Sequence, residues 1–170
     1  MIPDIRSLEI RSLVGADDRA LLALNNAEVP RVTALDEAAM ERYRPVLAHA
    51  LAIGPVGDPD AFCWTVGPDT GYWSANYAWV GARYDRFIYL DRVVVAPRAR
   101  GRGLARALYD EVSARSAGSA DHFVLEVNTE PRNDESLAFH AALGFTEVGR
   151  AHPYGDDTEV GYLARPVPAQ

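Results

Sequence analysis

Between Val93 and Arg106 the chain reads VVVAPRARGRGLAR, with Arg98, Arg100, Arg102 and Arg106 set around Gly101 and Gly103 and no acid among them. A strand that turns through glycines into a helix leaves the first helical N–H groups without intrahelical partners, at the positive end of the helix dipole. Glycines there let phosphate oxygens approach the backbone. These residue types at this spacing specify a pyrophosphate cradle, placed in a chain of 170 residues whose net charge is −7. A solvated basic loop is the competing reading. The apolar strand before and the amphipathic helix after favour the cradle. The stretch is not the dinucleotide fingerprint, because Arg106 stands where the third glycine of G-x-G-x-x-G belongs.

Other chemistries are excluded by composition. All 17 basic residues are arginine. Without lysine the chain lacks the P-loop cation, the Schiff-base amine of pyridoxal-phosphate enzymes and the strand lysine of protein kinases. The single cysteine, Cys63, excludes an intrachain disulfide framework and reads as a small buried hydrophobe rather than a nucleophile. No metal site is expected.

Three further groups could move protons. Glu126 lies in LEVN and shares a strand face with Asn128 by alternation. A structural salt bridge is the competing reason for an acid there. Asp91 lies in YLDR, with Arg92 beside it as a ready structural partner. His140 has a side chain whose ordinary pKa suits proton transfer near neutrality.

Two blocks carry a family resemblance. Arg98-Ala99-Arg100-Gly101-Arg102-Gly103 resembles the R/Q-x-x-G-x-G/A loop of the GNAT superfamily of N-acetyltransferases. Asn133 to Phe145, NDESLAFHAALGF, resembles the N-x-x-A-x-x-x-Y-x-x-L-G-F helix of the same family, with His140 at the tyrosine position. The resemblance implies acetyl-CoA as co-substrate. It implies that Val93, Val94 and Val95, with a bulge near Val94 or Val95, hold the pantetheine arm and polarise the thioester carbonyl through a backbone N–H. It implies that Arg98, Arg100, Gly101, Arg102, Gly103, Leu104, Ala105 and Arg106 hold the pyrophosphate, and that Asn133 contacts the coenzyme. A primary amine would attack the thioester directly, with His140 as the acid for the leaving thiolate. LEVN resembles the L-E-V-R segment of the family's protein N-terminal alanine acetyltransferases, which implies Glu126 as base, although two extra residues separate it from Asn133. Asp91 is the second choice, by likeness to some small-amine members.

The elements that must position these groups follow from periodicity. Strands are expected near residues 2–12 and over 48–53, 61–66, 87–95, 123–128, 146–149 and 158–163. Helices are expected from Asp17 and Asp18 through ALLALNNA, over 35–43, over 104–116 with Leu104, Leu108 and Val112 on one face, and over 134–143. The fold class expected is α/β: a single GNAT-like domain over 1–170, with a mixed, mostly antiparallel sheet, splayed central strands and about four helices.

The acceptor side is less specified. Nine of the sixteen aromatics fall between Phe62 and Tyr89, which makes that segment the place to look for a pocket. Phe62 and Trp64 alternate within a strand and read as core. Trp73, Tyr77, Trp79 and Tyr84 could wall a site for an ammonium group, or form a satellite cluster or a dimer contact. The acidic balance disfavours nucleic acid and favours a cationic amine, without separating a small molecule, the acceptor expected, from a peptide. A protein or peptide N-terminus is the alternative acceptor, and a non-catalytic acyl-CoA sensor the alternative function. No apolar run reaches the ~18 residues of a membrane span, and MIPDIRSLEIRSL has no apolar secretory core. A cytoplasmic protein is the expectation, with a homodimer left open.

Overall fold

A computed structural model describes residues 9–155 and 157–169. Those residues group into two compact units: one takes in those up to Val66 with Asp91–Arg115, the other Gly67–Leu90 with those from Ser116 onward. The strands are β1 (Ile10–Ser12), β2 (Leu47–Ile53), β3 (Ala61–Val66), β4 (Phe87–Val95), β5 (His122–Glu130), β6 (Thr146–Ala151) and β7 (Glu159–Pro166). The helices are α1 (Asp18–Asn26), α2 (Glu37–Tyr43), α3 (Ala75–Gly81), α4 (Leu104–Ser116) and α5 (Asp134–Ala142). The sheet order is β1-β2-β3-β4-β5-β7-β6.

In the first unit β1–β2 and β2–β3 pair antiparallel. Every residue of β3, AFCWTV, is buried, which places Phe62, Cys63 and Trp64 in the core as expected. The Cys63 thiol is pushed up to about 12 by burial, so it is no nucleophile. Helix α4 buries Leu104, Leu108 and Val112, the stripe that its period-3.6 pattern requires. The second half of β4 alternates, with Arg92 and Val94 inward, and Pro97 ends it in a 3₁₀ turn.

In the second unit the first half of β4 pairs parallel with β5 over Phe87–Tyr89 and His122–Val124. That is three residues of two nine-residue strands. Strands β5–β7 and β6–β7 pair antiparallel, with Glu126 opposite Tyr162.

The fold is the expected mixed, mostly antiparallel α/β sheet, with one correction. Among the described residues five α-helices form where about four were expected, because α3 forms inside the glycine-punctuated aromatic stretch. Ser74 caps it, its Oγ accepting from the Tyr77 N–H at 3.3 Å, and Asn76, Tyr77 and Val80 are its buried side. Of the first expected strand, β1 is the described part. Residues 2–8 lie outside the described residues.

Candidate active site

The first unit carries the loop. Gly101 and Gly103 hold φ of 74° and 77°, the left-handed region that side chains resist. A Cβ at Gly101 would meet nothing within 4 Å, so the backbone there is open to an approaching group. The Gly103 carbonyl accepts from the Ala107 N–H at 3.0 Å and so starts α4, whose first N–H groups lie beyond intrahelical reach. Leu104 is buried and anchors the helix start, Ala105 is half-buried, and Arg106 is exposed on the first turn. An open, left-handed glycine loop at a 13-residue helix N-terminus fits a pyrophosphate.

Tertiary structure adds acids that the local sequence lacks. Arg98 donates to Asp58 at 2.7 Å and to Asp60 at 3.0 Å. Arg102 lies 3.6 Å from Asp60, and Arg100 pairs with Glu28. The turn between β2 and β3 also accepts the Ala96 N–H at the Asp60 carbonyl, at 2.8 Å. This turn therefore braces the loop while sharing its arginines. Arg100 also donates to the Val95 carbonyl at 3.4 Å. Val93 and Val95 are half-buried and Val94 is buried.

Asp91 sits in a buried ion pair, with Arg92 Nε 3.0 Å from its carboxylate and side-chain exposures of 8% and 5%. Arg92 further donates to Asn25 Oδ1 at 2.8 Å, to the Thr33 carbonyl at 3.2 Å and to Tyr43 OH at 3.0 Å. The Tyr43 and Trp64 rings lie 5.1 and 5.2 Å from its guanidinium carbon. The partner that the sequence sets beside Asp91 does pair with it.

In the second unit Asn133 caps α5, its Oδ1 accepting from the Ser136 N–H at 3.1 Å. His140 is 5% exposed. Its Nδ1 lies 2.7 Å from the Ser136 carbonyl, which can only accept, so Nδ1 carries the hydrogen and Nε2 the lone pair. Burial above all, with Arg165 adding, pushes its pKa below the ordinary histidine value. The ring is neutral at pH 7 and presents an acceptor.

Glu126, half-buried on β5, accepts from Asn76 Nδ2 at 3.1 Å. Asn76 Oδ1 in turn accepts from Tyr162 OH at 2.8 Å. Trp79 stacks on the Tyr162 ring with centroids 3.8 Å apart and planes 6° apart, and Arg83 covers Trp79 at 3.7 Å. Asn76, Tyr162 and the bracing acids escaped sequence reading. A cap-capable Ser74 before ANYAWVG was the only local trace of α3.

The four aromatics expected to wall a pocket have separate duties. Tyr77 is buried against Phe87 and Tyr89, and its hydroxyl donates to the Gly67 carbonyl at 2.8 Å. Trp73 is exposed and packs on Tyr72. Tyr84 packs on His122, and Trp79 lies between Tyr162 and Arg83.

The model of the acetyltransferase (GNAT) family matches residues 29–145, more than half of the sequence. The chain belongs to this family. It is an acetyltransferase that uses acetyl-CoA. No curated protein matches it. Among solved structures, Arabidopsis thaliana NAA60 in complex with a bisubstrate analogue superposes with a TM-score of 0.74 at 17% identity, covering 96% of this chain and 100% of that one. The ribosomal-protein-S18-alanine N-acetyltransferase from Escherichia coli gives 0.65 at 19% identity, covering 96% of each chain. A phosphinothricin acetyltransferase from Sinorhizobium meliloti in complex with AcCoA gives 0.67 at 19% identity, covering 95% of this chain and 89% of that one. These likenesses show the acetyltransferase's fold, and their named acceptors differ in class. Among the described residues no cluster of His, Cys, Asp and Glu could hold a metal, and no helix is long and apolar enough to cross a membrane.

Proposed function

We propose that this acetyltransferase acetylates a cationic small-molecule primary amine, with Glu126 as the base. The observation that carries the reading is a carboxylate on β5 fixed by a hydrogen bond from Asn76, in a chain whose net charge of −7 attracts cations. Acetyl-CoA supplies an acetyl group activated as a thioester. Val93 to Val95, Arg98 and the loop from Arg100 through Arg106 bind it, with Asn133 at the start of α5. An ammonium must lose a proton before its nitrogen can attack, and Glu126 accepts that proton. Attack forms the C–N bond and breaks the C–S bond, and the second proton, shed by the acylated nitrogen, passes through water to the departing thiolate. His140 is neutral in this scheme and keeps its hydrogen on Nδ1, toward the Ser136 carbonyl. Asp91 stays the ion-pair partner of Arg92.

A peptide N-terminus is the second reading, favoured by the LEVN segment around Glu126 and by the packing roles that Tyr77, Trp79 and Tyr84 already fill.

Calorimetric titration with acetyl-CoA tests the donor half, with Gly103→Glu as control. The added carboxylate meets a strained φ and the helix N-terminus, so binding falls by more than ~100-fold, about 2.7 kcal/mol. Equal binding by the variant overturns the cradle. CoA-thiol release across polyamines, aminoglycosides and N-terminal peptides then names the acceptor class, and rate with peptides alone overturns the small-amine reading. Glu126→Gln retains coenzyme binding and loses turnover by about 10²–10⁴-fold. An undiminished rate removes Glu126 as base.

A further inference from the structure

We propose that Asn76, delivered by α3, is a positioning residue that holds Glu126 ionised and oriented for proton acceptance. The proposal rests on the assignment of Glu126 as base and adds to it a residue outside both family motifs.

An ionised carboxylate only accepts, whereas a primary amide has one donating and one accepting end. Asn76 turns Nδ2 to Glu126 Oε1 at 3.1 Å and Oδ1 to Tyr162 OH at 2.8 Å. The reverse amide orientation would set Oδ1 against the carboxylate. The acceptor-only carboxylate determines which orientation holds, and the Tyr162 hydroxyl completes it by donating to Oδ1. Tyr162 is fully buried, and its hydroxyl is pushed up to about 12 by burial first and then by Glu126, so it stays protonated and keeps donating. Each hydrogen bond in the chain therefore points toward the Glu126 charge, and bonds so aligned reinforce one another. Arg83 and Tyr154 lie within electrostatic reach of the Tyr162 hydroxyl.

The placement is built into α3. Asn76 and Trp79 are three residues apart and share a helix face. Trp79 stacks on Tyr162 at 3.8 Å, so the contact that docks the helix also brings the amide to both partners. A Cβ at Gly149 would meet the Trp79 ring at 2.5 Å, so glycine on β6 is what leaves room for that ring. Asn76 itself is 7% exposed, so water competes little for the amide.

The test needs no acceptor. In the 18.6 kDa protein labelled with ¹³C-carboxyl glutamate, the Glu126 resonance is assigned by its loss in Glu126→Gln and titrated against pH. In Asn76→Ala the midpoint moves to higher pH, because the charged form has lost a donor. In Asn76→Asp, equal in size, it moves further, because two carboxyl groups then share one site. Tyr162→Phe moves it in the same direction by less, and adds nothing to Asn76→Ala. An unmoved midpoint in the Asn76 variants, with folded-state amide spectra intact, overturns the proposal. If Asn76→Ala does not fold, Asn76→Asp decides alone. Acetyl transfer by Glu126→Gln is read separately. An undiminished rate there sinks the base assignment and with it the catalytic purpose of the contact, and is distinguishable from a titration that does not move.

Discussion

The phosphate loop and the Glu126 network both depend on polar side chains, and they are built in opposite ways. The loop's arginines lie within five residues of one another, are about half-exposed (41–53%), and pair with Asp58, Asp60 and Glu28. The network draws residues 76, 126 and 162 from three elements, and Asn76 and Tyr162 are almost dry. Exposed ion pairs are worth little, so an arriving anion can take over their arginines at small cost. A buried amide cannot exchange partners without leaving a desolvated group unsatisfied. The first arrangement suits a coenzyme that binds and leaves each cycle. The second suits one carboxylate held in one orientation.

If burial rather than charge count separates the two, substitutions should rank by burial. The largest effect on stability is expected at Arg92, whose removal as Arg92→Met takes the cation from buried Asp91 and the donors from Asn25 and Tyr43. Urea denaturation should show a loss of about 3–5 kcal/mol, and a loss below about 1 would break the comparison.

Next is Gly149→Ala. The new methyl overlaps the Trp79 ring at 2.5 Å, and overpacking of this kind costs about 1–3 kcal/mol. Thermal unfolding should show the loss. Because Trp79 seats α3, the Glu126 resonance should shift as well, and its failure to shift would separate the stack from the amide contact.

Asp17 provides the pH dependence. Its carboxylate is fully buried, bonded by Arg11 at 2.7 and 2.8 Å and by the N–H groups of Val14 and Gly57. Chiefly through Arg11, its pKa is lowered from 3.8 to about 2. A folded-state pKa below the unfolded one means that this contribution is complete above the ordinary value and is lost as pH falls through it toward about 2. Acid titration of stability should therefore be shallower between those values in Asp17→Asn than in the wild type. Equal slopes would show that Asp17 carries no such linkage.

The smallest effect belongs to the loop. Asp58→Asn should leave the melting temperature unchanged within error and, by removing one of the two acids that share Arg98, tighten acetyl-CoA binding by about twofold to fivefold at low salt. The gain should vanish near 1 M salt, where the screening length is about 3 Å. A large stability loss would mean that the turn holds the loop by more than exposed pairing.

Legibility in the sequence followed locality. Strand β3, strand β4 and helix α4 have the bounds that periodicity predicts, and the loop between β4 and α4 carries its chemistry within fourteen residues. Asp91 was legible with its partner because Arg92 adjoins it. The reading of His140 as an acid rests on its position alone. Burial makes the ring neutral and the bond to Ser136 fixes which nitrogen keeps the hydrogen, and neither is visible in the string. Helix α3 escaped because seven residues between glycines show too few turns for a period to register, and their aromatics satisfy a loop reading equally well.

By itself, then, the sequence determined the α/β class, the glycine–arginine loop at a helix start and the family, because each rests on neighbours along the chain. Tertiary structure alone decided that the loop's arginines share their charge with Asp58, Asp60 and Glu28, and that Glu126 is held by Asn76 and Tyr162. Those contacts span 38 to 86 positions of sequence, and no local rule relates residues so far apart until packing brings them within hydrogen-bond distance.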